Sequence, residues 1–317
     1  MKMVLRKKYA SLLGLLIMIT GHVNGANCEP ICCKTPAYEF NISGELLYWK
    51  PELCGLEGAF GNTTIGTTLD ANANIVTSIN ETDEEPHAKW NEGYRVGAGV
   101  SLNGFEVDLK WTHYNGHAKF RDANQFGKWR IKYRAIDLTL GHSFCASSFY
   151  LKPFIGVRFV EIRQKLTAHL ETFFTSLIGN NTIFTDKNDK ENFCGAAPQI
   201  GIDAEWYLGC NLSLYGSFAF LTYYGDVKGK NFDVDTFTRT ISICNGKKKR
   251  CFSNLATDGT LGIRFDSTSN RYCGCDIDFM LKLGMEQNRI YDFSELGSDG
   301  NFSLYGGVFA AGLTVNF

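Results

Sequence analysis

The side chains best able to do covalent chemistry here are eleven cysteines. Cys28, Cys32 and Cys33 cluster near the start, and Cys54, Cys145, Cys194 and Cys210 stand apart. Cys244 and Cys251 lie close together, and Cys273 and Cys275 flank one glycine. Cys273-Gly274-Cys275 with Cys32-Cys33 lacks the spacing of a zinc knuckle, so disulfides are the simpler expectation in an oxidising compartment. His113 and His117 are four apart, but their segment reads as a strand running into a loop. No Glu follows His113, so the zinc-protease pattern is absent. His142 and Ser143 are adjacent, which on a strand points them to opposite faces and not into a nucleophile–base pair. Gly97-Ala98-Gly99 is followed by Leu102 where a dinucleotide motif needs its third glycine. These residues supply no catalytic, cofactor-binding or metal constellation. The expectation is a protein that is not an enzyme and carries no cofactor.

The elements that would position these residues are strands. The chain has 317 residues, 44% hydrophobic and 21% charged, with a formal net charge of −1. Its mean hydropathy is −0.14. The charge balance gives no reason to expect nucleic acid as a partner. Thirty-three glycines, six prolines, 24 Phe and 14 Tyr together suggest a large all-β protein. Lys2, Arg6, Lys7 and Lys8 precede the apolar run Leu12–Ile19 and a small-residue site at Gly25–Ala26, the pattern of a secretory signal peptide over residues 1–25. The apolar run is too short to span a bilayer, and Asn27 before Cys28 argues against a lipoprotein. Four of the 32 basic side chains and none of the 33 acidic ones fall in that segment, so the exported chain is acidic by five. A cysteine-rich segment, 26–36, follows, and 37–317 is the main domain.

Two-residue alternation dominates that domain. Phe40, Ile42, Leu46 and Tyr48 alternate with Glu39, Asn41, Ser43 and Glu45. Phe105, Val107, Leu109 and Trp111 oppose Glu106, Asp108 and Lys110. Ile200, Ile202 and Trp206 oppose Gln199, Asp203 and Glu205. Ile277, Phe279, Leu281, Leu283 and Met285 oppose Asp276, Asp278, Lys282 and Glu286. A closed sheet of this size is hard to pack with so many large apolar side chains inward, whereas lipid accepts them outward. The prediction is a transmembrane antiparallel β-barrel. Strands are expected near 37–50, 90–102, 104–115, 129–142, 148–162, 193–208, 211–225, 255–266, 275–288 and 302–317. Loops between them alternate long and short, as in outer-membrane barrels, with both termini periplasmic. Asn103-Gly104 marks one tight hairpin. A further hairpin within 163–192 or 226–254 would make twelve strands. Glycines on strands are read as relieving curvature.

Phe317 ends an alternating run with Val315, Leu313, Ala311 and Phe309, resembling the signal by which outer-membrane barrels are recognised for assembly. Gly44–Lys50, Gly93–Gly99, Ile136–Gly141, Lys152–Gly156 and Gly195–Gly201, taken in order with the last strand, resemble the Legionella-type major outer membrane proteins. That family includes the MOMP-like proteins of Chlamydia-related bacteria. The resemblance implies an outer-membrane barrel, porin-like, and supplies no catalytic residues.

On this topology Cys28, Cys32, Cys33, Cys145, Cys210, Cys273 and Cys275 fall on the periplasmic side. Cys54, Cys194, Cys244 and Cys251 fall on the outer side. Seven thiols cannot all pair among themselves, so cross-links to other envelope proteins are expected, with Cys28, Cys32, Cys33, Cys145, Cys210, Cys273, Cys275, Cys244 and Cys251 as candidate disulfide residues. Glu39, Glu45, Glu106, Asp108, Lys110, Asp203, Glu205, Asp276, Asp278, Lys282 and Glu286 are the candidate lumen lining. Their acidic excess predicts mild cation preference, with Arg130, Lys132 and Arg134 on a face the pattern does not assign. Lys247–Arg250 lies in an extracellular loop, where it is solvated or meets anionic lipopolysaccharide or a host polyanion. The leading expectation is passive diffusion of small hydrophilic solutes plus a structural envelope role. A plugged structural or adhesive barrel is the alternative, and an outer-membrane protease or lipase follows it. Expected partners are outer-membrane lipid, the barrel-assembly machinery, disulfide-linked envelope proteins and further copies of the chain.

Overall fold

The computed structural model describes residues 38–53, 62–69, 75–82, 87–121, 126–146, 148–176, 179–235, 240–244, 249–267, 271–272, 275–293 and 301–316. Ten long strands form the wall: β1 (Tyr38–Leu53), β2 (Asn91–Leu102), β3 (Phe105–Arg121), β4 (Phe126–His142) and β5 (Phe149–Ser176). They continue with β6 (Gly179–Gly209), β7 (Leu212–Asp235), β8 (Lys249–Ser267), β9 (Cys275–Ile290) and β10 (Phe302–Asn316). Each pairs antiparallel with its sequence neighbours, and β10 pairs with β1, so the sheet closes. Closure leaves no unpaired sheet edge at membrane depth.

The size of the barrel follows from its register. Partners traced from Glu39 run through Ser101, Glu106, Gly141, Phe154, Gly201, Ala219, Asp258, Asn288 and Leu304. The trace returns to β1 at Pro51, twelve residues further on. Ten strands with that stagger tilt by about 40° and set the backbone about 10 Å from the axis. Arg, Lys, Trp and Tyr reach about 6 Å inward from such a wall, so the interior can be filled by side chains alone.

Alternation decides which residues face lipid. Ile42, Leu46, Val107, Leu109, Ile136, Leu138, Ile155, Phe159, Ile200, Leu261 and Met285 are all exposed on the outer wall. Tyr48 stacks on Trp90 at 5.5 Å, and Tyr94 meets Trp111 edge-on at 5.4 Å along the upper border. Such aromatics sit where one ring end is apolar and the other wet. At the lower border the tight turn of Asn103 and Gly104 has φ of 50° and 83°, as the hairpin signal requires.

Several strands are longer than the alternation indicated. Among the described residues, 163–192 hold no additional barrel strands. They extend β5 and β6 into a tall hairpin of 28 and 31 residues, closed at Ser176 and Gly179. Residues 226–254 lengthen β7 and β8 and add Thr240–Cys244 beside β7. A hairpin of Asn62–Leu69 and Ile75–Thr82 bridges to β5 at Ile65 and Gly66. Cys194 and Cys251, expected in or beside loops, lie within β6 and β8. Residues 1–37 and Phe317, and with them the signal peptide, the cysteine-rich segment and the terminal aromatic, lie outside the described residues.

Candidate functional site in the barrel lumen

Tiers of side chains fill the barrel from the periplasmic end upward. In the first ionic tier, Lys152 of β5 lies 2.9 Å from Glu106, 3.0 Å from Asp108 and 3.3 Å from Asp203. The Tyr150 hydroxyl donates to Glu106 at 2.7 Å, and Ser217 donates to Asp203 at 2.6 Å. Arg264 of β8 pairs with Glu205 at 2.6 Å and Asp266 at 2.8 Å. Lys282 lies 5.2 Å from the centre of the Tyr215 ring. Glu39, Asp276 and Asp278 sit lower still, near the periplasmic rim, where Asn316 donates to Asp278 at 2.9 Å.

A second ionic tier lies one to two turns of pleat above. Arg95 of β2 donates to Glu45 at 2.7 Å, to Glu286 at 2.8 Å and to Thr112 at 3.0 Å. Arg158 of β5 pairs with Asp137 and Asp258, each at 2.5 Å. Glu286 and Asp258 belong to strands three places round the wall from their arginines, so both pairs cross the interior. Lys110 projects into the same space and stays exposed.

Above these tiers the lumen is mainly apolar, with Gln164, Asp189, Glu191 and Asn288 buried among its side chains. Trp49, Tyr114, Phe193, Phe302, Ile162, Leu166 and Leu304 are fully buried in one cluster. Rings run from wall to wall: Trp129 to Phe302 at 6.4 Å, Phe302 to Phe293 at 5.6 Å, Phe293 to Phe193 at 5.5 Å and Phe193 to Tyr223 at 6.0 Å. Phe293 follows β9 and folds inward, so part of an expected loop becomes plug. Trp129 donates to Gln164 at 2.9 Å, and the Tyr114 hydroxyl donates to the Trp49 carbonyl at 3.0 Å, which satisfies polar atoms inside the plug.

Glycines seat these rings. A Cβ on Gly195 or Gly225, which pair across β6 and β7, would fall 2.6 or 2.8 Å from the Phe193 ring. A Cβ on Gly262 or Gly284 would fall 2.7 or 2.4 Å from Tyr215. Their glycine identity is thus set by close approach at the lumen wall, where curvature alone had been expected.

The alternation placed Glu39, Glu45, Glu106, Asp108, Lys110, Asp203, Glu205, Asp276, Asp278, Lys282 and Glu286 on one face, and that face is the inner one. It did not single out their partners Arg95, Lys152, Arg158 and Arg264. The signal was there: Arg95 shares its phase with Gly93, Gly97 and Gly99 opposite Tyr94, Val96 and Val100. Arg130, Lys132 and Arg134 are resolved differently. Ile131, Tyr133 and Ala135 are the buried inner residues of β4, so these three cations point outward and offset no lumen charge. The alternation left their face unassigned because this stretch of β4 is apolar inside and charged outside.

Other sequence candidates have plain structural settings. Ser143 Oγ donates to the Gly104 carbonyl at 3.1 Å, and the His142 ring packs edge-on against Phe105 at 4.6 Å. Cys210, in the β6–β7 turn, is disulfide-bonded. Cys145 is exposed near the lower border, and Cys194 is an exposed thiol on the outer face of β6. Cys28, Cys32, Cys33, Cys54 and Cys273 lie outside the described residues, as do the side chains of Cys244, Cys251 and Cys275.

A closed, tilted antiparallel barrel with a lipid-facing apolar band and a charged interior defines an integral protein of the bacterial outer membrane. Residues 30–314 match the family described as Legionella pneumophila major outer membrane protein precursor, and the chain belongs to that family. A comparison with curated proteins returned no match. Solved structures with a similar chain path include the outer membrane protease OmpT of Escherichia coli, at 9% identity and TM-score 0.38, covering 93% of this chain and 99% of that one. Neisserial surface protein A is similar at 10% identity and TM-score 0.28, covering 88% and 97%. The Pseudomonas putida toluene transporter TodX is similar at 8% and 0.32, covering 90% and 91%.

Proposed function

We propose that this protein is a structural outer-membrane barrel closed in its resting state by its own side chains. The observation that carries this reading is the continuous chain of rings from Trp129 through Phe302, Phe293 and Phe193 to Tyr223, stacked on two tiers of ion pairs. A ten-strand barrel is narrow enough for such filling to leave no continuous water path. Its envelope role rests on the barrel's outer surfaces and on periplasmic cysteines. Cys210 is itself disulfide-bonded within the chain, which leaves the cross-linking to the other periplasmic cysteines. Planar-bilayer recordings of the refolded chain test the reading. No steady conductance is expected, and stable channels at low voltage would overturn it. Non-reducing electrophoresis of envelopes tests the cross-linking, for which migration as a monomer with and without reductant is the contrary result.

Porin-like diffusion of small hydrophilic solutes is the second reading, favoured by the charge of the lower tiers. Burying many ions in a permanently dry barrel is costly, whereas a wetted passage retains them readily. Lys110 stays exposed among them. The inner wall still carries more carboxylates than cations, so such a passage would prefer cations. Reversal potentials under a salt gradient decide the sign, and anion selectivity would sink the preference.

A further inference from the structure

The outer wall of β3, β4 and β5 changes character at one level. Trp111, Ile136 and Phe159 are partners in register and form the last apolar row. Directly above Ile136, the outward positions of β4 are Arg134, Lys132, Arg130 and Lys128. On β5, Arg163 is the register partner of Lys132 and Lys165 that of Arg130. Neighbouring outward positions lie about 5 Å apart across strands and about 7 Å apart along one. All fall within a Debye length of one another. Glu161 is the one carboxylate in these rows, and it pairs with Arg134 at 3.6 Å and with Arg163. Among the described residues no carboxylate pairs with Lys128, Arg130, Lys132 or Lys165. On β3, His117 is the register partner of Arg130 and Lys119 that of Lys128, so the same face carries no carboxylate there either.

Position selects the counter-charge. These cations stand on the barrel's flank as an upward continuation of the lipid-facing wall, and their row begins one outward position above the apolar band. They project sideways, into the layer where lipid headgroups lie, and not from the tips of the loops. On other strands near this level the outward positions Thr222, Thr257 and Tyr305 are uncharged, Lys50 and Arg289 stand singly against the rings of Tyr305 and Tyr291, and Glu52 and Glu92 are acidic, so the unbroken run of cations belongs to β3–β5. Arginine matches phosphate through paired N–H donors, and lysine stems lie along apolar surface while the ammonium reaches the headgroup layer. We propose that the outer face of β3–β5 binds the phosphate groups of a phosphorylated glycolipid in the outer leaflet. The site owes nothing to the state of the lumen and stands whether the barrel conducts or not.

The test uses the full chain refolded in phosphatidylcholine vesicles doped with bisphosphorylated lipid A, followed by gentle detergent extraction and measurement of the lipid retained. Lipid A is expected to remain bound about tenfold above its dephosphorylated form. The combined variant R130Q/K132Q/R163Q/K165Q loses that preference, while K132R/K165R, which keeps the charge, retains it. Heat-modifiable gel migration checks that each variant is folded. Should the fourfold variant not insert, R130Q/K132Q and R163Q/K165Q carry the test separately, each with a partial loss. Equal retention of both lipids, or full retention by the neutralised variants, would overturn the proposal. So would stabilisation by inorganic phosphate alone equal to that by lipid A, since the site would then recognise the anion without the lipid.

Discussion

Arg158 is held between Asp137 and Asp258. A buried ion pair adds little net stability over a well-packed apolar group, but removing one partner strands the other charge in a poor solvent. Arg158→Ala leaves two carboxylates facing each other across the lumen. It is expected to lower unfolding stability by about 3–5 kcal/mol in denaturant titrations of the vesicle-embedded barrel. Adding Asp137→Asn and Asp258→Asn should recover much of that loss, because the stranded charges are then gone. An equal loss in the triple variant would show that packing, and not charge, holds Arg158 in place. The aromatic tier obeys a different rule. Phe293→Ala removes a ring that links Phe302 with Phe193. The expected cost is about 3–5 kcal/mol, from lost burial and an unfilled cavity.

Strands act here as rulers with two faces, and β4 shows how far the two can diverge. Its lower outward positions are Ile136, Leu138 and Leu140 and its upper ones Lys128, Arg130, Lys132 and Arg134, while its inner face runs from Thr139 and Asp137 below to Tyr133, Ile131 and Trp129 above. A reader of the sequence who equates apolar with outward therefore loses the phase at Ala135. β8 and β9 are coupled through the glycine pair Gly262 and Gly284 beneath Tyr215. Gly284→Val would place a branched side chain within 2.4 Å of the Tyr215 hydroxyl. Overpacking of that kind costs about 1–3 kcal/mol, and the heat-modifiable band should convert to the unfolded form at a lower temperature. An unchanged conversion temperature would mean that Tyr215 swings aside freely.

At the scale of the whole barrel, the strand number and the stagger of twelve set a bore that side chains can close. Opening it requires removing the rings that span it, not widening the wall. The combined variant Trp129→Ala, Phe302→Ala and Phe293→Ala is expected to raise conductance in planar bilayers from nil to discrete ion-permeable openings. The remaining ionic tiers should make these cation-preferring. If the triple variant stays silent while folded, the ion-pair tiers alone are sufficient to close the pore.

Much of this molecule was legible in its sequence. The strict alternation of Phe40, Ile42 and Leu46 against Asn41, Ser43 and Glu45 fixed strand, face and lipid exposure together, because a strand has only two faces and a bilayer accepts only one kind of side chain. The Asn103-Gly104 pair fixed a hairpin, because few residues tolerate positive φ twice in succession. Lumen-facing acids followed from the same alternation. The tertiary structure alone decided what those acids meet. Arg95 reaches Glu286 and Arg158 reaches Asp258 only because closure brings strands distant in sequence across a bore of fixed radius. The same closure turned Trp49, Trp129 and Phe302 into a plug and left Arg130 and Lys132 outside. Alternation in a chain states which residues share a face; the curvature and stagger of the closed sheet determine which faces touch.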